Sequence, residues 1–172
     1  MRNLSILSFF IAAIFLVSCN AVSVTQDFDR SANFNSYKTY SYHQKGLDKL
    51  KINDLDKRRI LAALDREMAT KGFTKVNSDA DIVVNILTSS SQEVHVNNNY
   101  YNYGFYGYPG FNYPNVSEYT SGKIIIDIID DKRNILVWQG VGKGLNIDNI
   151  SAKEQRIPEA INNILKKFPP QK

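Results

Sequence analysis

Cysteine is nearly absent from this chain of 172 residues, in which Cys19 is the only one. A single cysteine cannot form an intrachain disulfide or a cluster of thiolate metal ligands. Histidine is also scarce, because His43 and His95 are far apart and neither has a second ligand at helical or hairpin spacing. We therefore expect no metal and no other cofactor, and a domain whose stability comes from its core.

Charge of one sign is not concentrated anywhere in the sequence. The formal net charge is +4 and the basic residues are scattered, which does not indicate a nucleic-acid partner. Hydrophobic residues make up 43% of the chain, enough to form a core in a domain of about 150 residues. We expect one domain over residues 22–172.

A recognisable set of catalytic residues is also missing. No G-x-S-x-G elbow and no Ser/His/Asp arrangement occurs. Asp79 and Asp81 would point the same way on an extended chain, but turn and strand-entry chemistry is the favoured interpretation. Asp127 lies on a strand that we expect to be covered, so it should bind a backbone amide or the start of a helix. The sequence predicts a protein that is not an enzyme, with acid–base chemistry by these three aspartates as the alternative.

Only one long hydrophobic run occurs, from Leu4 to Val17, directly after Met1-Arg2-Asn3. It is shorter than the roughly 20 residues that a membrane-spanning helix needs, and its layout is that of a secretory signal. An ordinary signal peptide with a cysteine near its cleavage site is one interpretation. The four residues at 16–19, Leu-Val-Ser-Cys, also resemble the bacterial lipobox, whose cysteine is lipidated and becomes the mature N-terminus.

The lipobox resemblance implies a signal peptide at residues 1–18 and a lipidated Cys19 at the start of a short tether, residues 19–21. A thioether-linked diacylglyceryl group and an N-acyl chain such as palmitate would hold the protein on a membrane, since each buried methylene contributes about 0.8 kcal/mol. No acidic run follows Cys19, which by resemblance to sorting signals disfavours retention in the inner membrane. Abundant Asn, Ile, Lys and Tyr suggest a Gram-negative source. We expect a lipoprotein of the cell envelope, on the outer membrane and facing the periplasm.

Alternating or continuous apolar residues predict about five strands. Two of them, Gly122–Asp130 and Ile135–Val141, are joined by turn residues and should form a hairpin. The strand at 81–88 is apolar on both faces and is expected to be covered on both. Gly140, Gly142 and Gly144 share one face with Trp138 and would let a helix or a ring approach the backbone closely. The other predicted strands are 22–29 and 39–42.

Two helices are predicted from apolar stripes with a period of 3.6 residues. The first begins at Asn53 or Asp54 and ends at Gly72, where Phe73 and Met68 would meet in a Schellman cap. The second begins with a capping box at residues 151–154, contains Pro158 as a break or kink, and has a stripe that ends at Phe168. The predicted fold class is α/β (α+β): a single domain with an antiparallel or mixed sheet and two helices packed on one face.

Several segments, in order along the chain, resemble the bacterial lipoprotein family known as domain of unknown function 4136. The resemblance implies an envelope lipoprotein with an α/β domain, and it supplies no activity or catalytic residues. The matching segments are residues 34–42, 71–73, 79–84, 122–130, 136–140 and 160–170.

A Tyr/Asn/Gly-rich segment at residues 97–119 stands apart from this pattern. Aromatic rings with amides and glycines are typical of adaptable binding loops, and an envelope protein or a glycan is the partner that we would expect. A loop that simply joins two strands is the alternative. We predict a binding or structural role in the envelope, or else an accessory role in envelope assembly or secretion through protein contacts. The candidate binding residues are Tyr100, Tyr101, Tyr103, Phe105, Tyr106, Tyr108, Phe111 and Tyr113.

Overall fold

The computed structural model describes residues 22–97 and 115–170, without the side chains of 95–97 and 115–119. Its strands are β1 (Ser23–Phe28), β2 (Thr39–Tyr42), β3 (Thr74–Lys75), β4 (Ile82–Asn97), β5 (Asn115–Asp130) and β6 (Ile135–Asn146). Its α-helices are α1 (Gln44–Asp48), α2 (Asp54–Thr70) and α3 (Ile150–Leu165), and a single 3-10 turn covers Phe34–Ser36. Within these ranges no helix is long and apolar enough to cross a membrane.

The strands form one mixed sheet in the order β1-β6-β5-β4-β2-β3. Strand β2 runs parallel to β3 and β4, and the other neighbours are antiparallel. The α+β single-domain prediction is confirmed, with six described strands instead of about five. The additional elements, β3 and α1, have two and five residues, too few for a periodic pattern to show.

The core lies between one face of the sheet and helices α2 and α3. Ile124, Ile126 and Ile128 of β5 are buried against the helices, whereas Ile125 and Ile129 lie on the other, partly exposed face. The prediction that β4 is covered on both faces was wrong, because Leu87 on its outer face is 44% exposed. Apolar residues on both sides of a strand do not by themselves provide a second layer to cover it.

Helix α2 has the ends that its sequence predicts. The Asn53 side-chain oxygen accepts a hydrogen bond from the backbone N–H of Asp56 at 2.9 Å. At the other end Gly72 has a φ of +83°, and the backbone N–H of Phe73 donates to the Met68 carbonyl at 3.0 Å. These contacts confirm the predicted Schellman cap.

Helix α3 differs from its prediction at both ends. Its N-cap is Asn149, whose side chain accepts from the backbone N–H of Ala152, so the predicted capping box at 151–154 is wrong. Pro158 lies inside one continuous helix instead of dividing it. The helix ends at Leu165, and Phe168 is buried beyond that end instead of extending the helical stripe.

Two glycines of β6 allow α3 to approach the sheet. A methyl group at Gly140 would lie 2.6 Å from Ile164 Cγ2, and one at Gly142 would lie 2.7 Å from Ile164 Cδ1. The predicted close approach is therefore confirmed at these two positions and wrong at Gly144, which has open space around it. Gly144 has a φ of +88° and falls where the register of β5 and β6 shifts, as glycine does in a β-bulge.

Strands β4 and β5 continue past the rest of the sheet. The last residue of β6, Asn146, pairs with Ser121, and six further pairs of β4 and β5 follow, from Gln92–Thr120 to Asn97–Asn115. This two-stranded ribbon, residues 92–97 and 115–120, extends about 20 Å at the usual rise per residue. We call this end of the sheet the ribbon end.

Candidate ligand-binding cleft

A cleft of about 660 Å³ opens beside the ribbon end, on the helix-covered face of the sheet. Its walls are α1, the segment 49–52 that follows it, the first turns of α2, and the chain from the end of β6 into α3. Strands β4 and β5 provide its floor. The volume lies within the range of about 300–1,000 Å³ that is usual for ligand pockets.

The deep part of the cleft is apolar and comes from separate elements of the chain. Because side chains alternate along a strand, Thr88 and Ser90 follow Ile86 on the same face of β4 and extend the lining outward as hydroxyls. A polar band thus separates the apolar interior from the opening. The buried apolar residues of the lining are Ile60, Ile86, Ile124, Leu145 and Ile157.

The short helix α1 is held in place as one wall by polar contacts. The ammonium group of Lys57 donates to the Leu47 carbonyl at 2.8 Å, at the C-terminal end of α1. His43 donates its backbone N–H to Val84 at 3.0 Å, and its Nδ1 lies 3.3 Å from Oδ1 of Asn85. Among the described residues this places His43 at the cleft with an amide partner, and no group of three or more potential metal ligands forms.

Three exposed lysines, Lys45, Lys49 and Lys51, line the opening of the cleft. Lys123 also borders it, but on β5 it shares the outer face with Ile125, so its side chain points away from the cleft. Among the described residues the ammonium groups of the three rim lysines make no hydrogen bond or ion pair, whereas those of Lys57 and Lys153 nearby do. The rim therefore offers ammonium groups that a ligand can bind.

Asp56 is the one carboxylate that lines the described cleft, and its charge is compensated. It accepts hydrogen bonds from Arg59 at 2.8 Å, Lys153 at 2.9 Å and the Asn53 amide at 2.8 Å. Burial opposes ionisation of Asp56, but the hydrogen bonds from Lys153 and Arg59 outweigh it and lower its pKa. The carboxylate thus ties the starts of α2 and α3 together and, among the described residues, forms no ion pair with the rim lysines.

The two aspartates before β4 have structural roles. Asp79 has a φ of +53°, so the chain there is not extended and the two carboxylates do not form the parallel pair considered from the sequence. Asp81 accepts from the backbone amides of Lys38 and Thr39 at 2.8 and 2.9 Å, and these hydrogen bonds lower its pKa. It joins the entries of β2 and β4, in agreement with the predicted strand-entry role.

Asp127 has a different partner from the one predicted. It accepts a hydrogen bond from the side-chain amide of Gln139 at 2.7 Å, across the β5–β6 pair, instead of a backbone amide or a helix start. It lies on the partly exposed face of the sheet. The prediction failed because it assumed that β5 is covered on both faces.

A polar cluster around one carboxylate, Asp65, joins β2 to α2 and was missed by the sequence interpretation. The hydroxyls of Tyr40 and Tyr42 both donate to Oδ1 of Asp65 at 2.7 Å, and Lys75 pairs with Oδ2 at 2.9 Å. Burial and then the hydrogen bond to Asp65 raise the pKa of each tyrosine, while for Asp65 the donors outweigh burial and lower its pKa. The alternate tyrosines of β2 were the available signal, since they share a face.

Trp138 is completely buried in the core. Cys19 and the eight candidate aromatic residues between Tyr100 and Tyr113 lie outside the described residues. The strands that flank the aromatic segment end at Asn97 and begin at Asn115, at the tip of the ribbon. The cleft itself was not predicted, because its lining comes from residues scattered between positions 43 and 157.

The fold and cleft define an α+β domain with a mixed sheet and a ligand-sized, lysine-rimmed cleft. The chain belongs to the family named Domain of unknown function (DUF4136), whose model matches residues 24–170. This confirms the resemblance noted from the sequence. No match is found among curated proteins.

Solved structures share the fold at low sequence identity. A DUF4136 family protein from Bacteroides thetaiotaomicron is 18% identical, with a TM-score of 0.60 over 88% of this chain and 97% of that one. A PelC dodecamer from Paraburkholderia phytofirmans is 12% identical, with a TM-score of 0.53 over 88% of this chain and 99% of that one.

A PDZ domain protein from Parabacteroides distasonis is also 12% identical, with a TM-score of 0.54 over 94% of this chain. The present chain spans 40% of the length of that protein. At these identities the likeness shows the fold alone.

Proposed function

We propose that this protein is a lipid-anchored envelope protein that binds a ligand in the cleft between α1 and the ribbon end, without catalysing a reaction on it. The observation that carries the binding role is the cleft, a ligand-sized space with a buried apolar floor and three exposed lysines at its opening. The anchoring role rests on the lipobox-like residues 16–19.

The position of the N-terminal strand supports a link between the two roles. Val24 of β1 pairs with Gly142, and Gly142 pairs with Ile124 in the floor of the cleft. Two inter-strand spacings, about 10 Å, therefore separate β1 from the floor. A lipid on Cys19 would be tethered within about 10 Å of Val22, since three residues span no more than that. Anchoring would keep the cleft beside the bilayer.

The state of the carboxylates supports binding over catalysis. A general acid at neutral pH needs a raised pKa, yet the pKa values of Asp56, Asp65, Asp81 and Asp130 are lowered by hydrogen bonds that outweigh any burial. Each of these groups is held ionised in a structural contact. Asp127 is held in a hydrogen bond with Gln139, and Asp79 and Asp81 do not form a parallel pair. An enzyme acting on an envelope polymer through these three aspartates is the less favoured alternative.

Replacing Cys19 with alanine should move the protein from the membrane fraction to the soluble fraction and abolish its labelling by a palmitate analogue, because the acyl chains supply the anchor. Labelling and fractionation of the full chain in a Gram-negative host measure both effects. Ser18→Ala, which keeps a small residue before the cysteine, should leave labelling intact. Continued labelling of Cys19→Ala would show that the lipid, if any, lies elsewhere.

Filling the cleft should remove a bound ligand from protein extracted from its own envelope. Native mass spectrometry of the wild type should show a bound small molecule, and Thr88→Phe or Ser90→Trp should lose it, since both side chains line the cleft. Val83→Phe, on the opposite face of the same strand, is the matched control. Thermal unfolding checks that each variant is folded. Retention of the ligand by both folded cleft variants would contradict binding at this site.

An accessory role through protein contacts is the second candidate, and the open edge of β4 favours it. Strand β2 pairs with β4 only as far as Val84, so from Thr88 to Asn97 no described strand covers that edge. An open edge can accept a strand from a partner. Crosslinking from a photoreactive residue at Ser91 in whole cells would identify such a partner.

A further inference from the structure

We propose that the cleft binds an anionic amphiphile: a single alkyl or acyl chain in the apolar interior, with an anionic head at the lysines of the rim. This inference rests on the proposed function, in which the cleft holds a ligand, and it specifies the chemistry of that ligand. A free fatty acid and a single-chain phospholipid both have this chemistry.

The interior of the cleft fits a hydrocarbon chain. Ile60, Ile86, Ile124, Leu145 and Ile157 are buried in the lining and offer no hydrogen-bonding side chain. Each methylene group that leaves water for such a lining tightens binding about fourfold. The side chains that line the described cleft include no tyrosine, tryptophan or phenylalanine on which a sugar ring could stack. A glycan is therefore a poorer fit than an alkyl chain.

The rim fits an anion. Lys45, Lys49 and Lys51 line the opening, and the carboxylate that lines the described cleft, Asp56, is already occupied by Arg59, Lys153 and Asn53. A ligand cannot use Asp56 as a partner unless it displaces these donors. An anionic head would instead meet ammonium groups that form no ion pair among the described residues, whereas a cationic head would be repelled by them.

The polar band between interior and rim fits the junction of such a ligand. Thr88 and Ser90 carry hydroxyl groups on the face of β4 that lines the cleft, directly after the buried Ile86. These hydroxyls can donate hydrogen bonds to the carboxylate or phosphate oxygens next to the chain. An apolar interior, hydroxyls beside it and lysines on the α1 side match the groups of an anionic amphiphile.

Calorimetry on the full chain with Cys19→Ala tests this inference without a covalent lipid that could occupy the cleft. Dodecanoate, below its micelle concentration, should bind with one molecule per chain, and decanoate should bind about fifteenfold more weakly because two methylenes are lost. Dodecyltrimethylammonium, which has the same chain and the opposite charge, should bind at least tenfold more weakly than dodecanoate. Single-chain phosphatidylglycerol distinguishes the two sources of the ligand. Tighter binding than dodecanoate would identify a single-chain phospholipid as the ligand, and weaker binding would identify a free fatty acid.

The charge requirement is tested with matched variants. Combining Lys45→Gln, Lys49→Gln and Lys51→Gln should weaken dodecanoate binding at least tenfold and reduce its dependence on salt. A control variant removes three positive charges outside the cleft by combining Lys132→Gln, Lys166→Gln and Lys167→Gln. It should change the affinity for dodecanoate less than twofold. Thr88→Phe and Ser90→Trp, if folded, should abolish binding.

Three outcomes would overturn the inference: equal affinity for the cationic and anionic chains, equal loss in the two lysine variants, or no dodecanoate or lysolipid binding by the folded protein. If native mass spectrometry still shows a ligand that depends on the cleft, only the ligand class is wrong and the proposed function stands. If neither experiment shows a ligand that depends on the cleft, the proposed binding function fails as well.

Discussion

Replacing Phe168 with alanine should lower the free energy of unfolding by about 3–5 kcal/mol, although the residue lies beyond the last helix and close to the end of the sequence. Phe168 is 1% exposed, and its ring centroid lies 5.2 Å from that of Trp138, 5.6 Å from Phe73 and 6.1 Å from Phe34. It therefore joins β6, the end of α2 and the 3-10 turn. Its removal would leave a cavity bordered by three rings, which cannot all move to fill it.

Chemical denaturation followed by tryptophan fluorescence measures this loss, since Trp138 is the only tryptophan and is one of the contacts. Phe168→Leu should cost less than half as much, because it retains most of the buried apolar surface. Lys167→Ala, the exposed neighbour, should change stability by no more than about 0.5 kcal/mol. A loss of less than 1 kcal/mol in Phe168→Ala would show that the end of the chain is not part of the cooperative core.

Replacing Asp56 with alanine should lower the free energy of unfolding by about 2–3 kcal/mol, because Lys153 would remain largely buried without its counter-charge. The side chain of Lys153 is 14% exposed and its ammonium lies 2.9 Å from Asp56. The loss should fall at the low end of values for buried pairs, since Lys153 can still reach water. Asp54→Ala, in the same helical turn but exposed, should cost less than about 1 kcal/mol.

A double variant separates the cost of an unpaired charge from the value of the pair. Asp56→Leu combined with Lys153→Met should recover most of the stability lost in Asp56→Ala, because an apolar pair leaves no buried charge. If the double variant is as unstable as the single one, the hydrogen bonds of Asp56 to Asn53 and Arg59 carry the stability instead.

The pH dependence provides a further check on Asp56. The folded protein holds its pKa below the ordinary value of about 3.8, so its contribution is complete above that value and is lost as the pH falls through the folded pKa. The difference in stability between the wild type and Asp56→Ala should therefore be constant above about pH 5 and narrow between about pH 4 and pH 2. A difference that persists unchanged at pH 2 would show that the charge of Asp56 does not account for it.

Local patterns predicted local structure well in this chain. The start of α2 at Asn53 and its Schellman end at Gly72 and Phe73 follow from residues within a few positions of each other. The alternation of isoleucines along β5 likewise divides them between two faces, and the structure shows that Ile124, Ile126 and Ile128 are on the core face. In both cases the relevant hydrogen bonds and faces are set by the chain within one element.

Predictions that depended on a second element were less successful. The prediction for Asp127 failed because β5 was expected to be covered, and the capping box predicted at 151–154 is replaced in the structure by an N-cap at Asn149. Phe168 continues the apolar pattern of α3, but the helix ends at Leu165 and the ring packs against three other elements. A sequence pattern can predict that a residue is buried, but it does not predict which other elements pack against it.

The sequence by itself determined the α+β class, the family, the main helices and strands, and the lipobox-like residues at 16–19. Only the tertiary structure decided that the chain has a cleft. Helices α2 and α3 lie parallel, with Asp56 paired to Lys153 near their starts and Glu67 to Asn162 toward their ends, and β2 is too short to extend beside β4. The space left between them depends on how elements far apart in the chain pack, which no local pattern encodes.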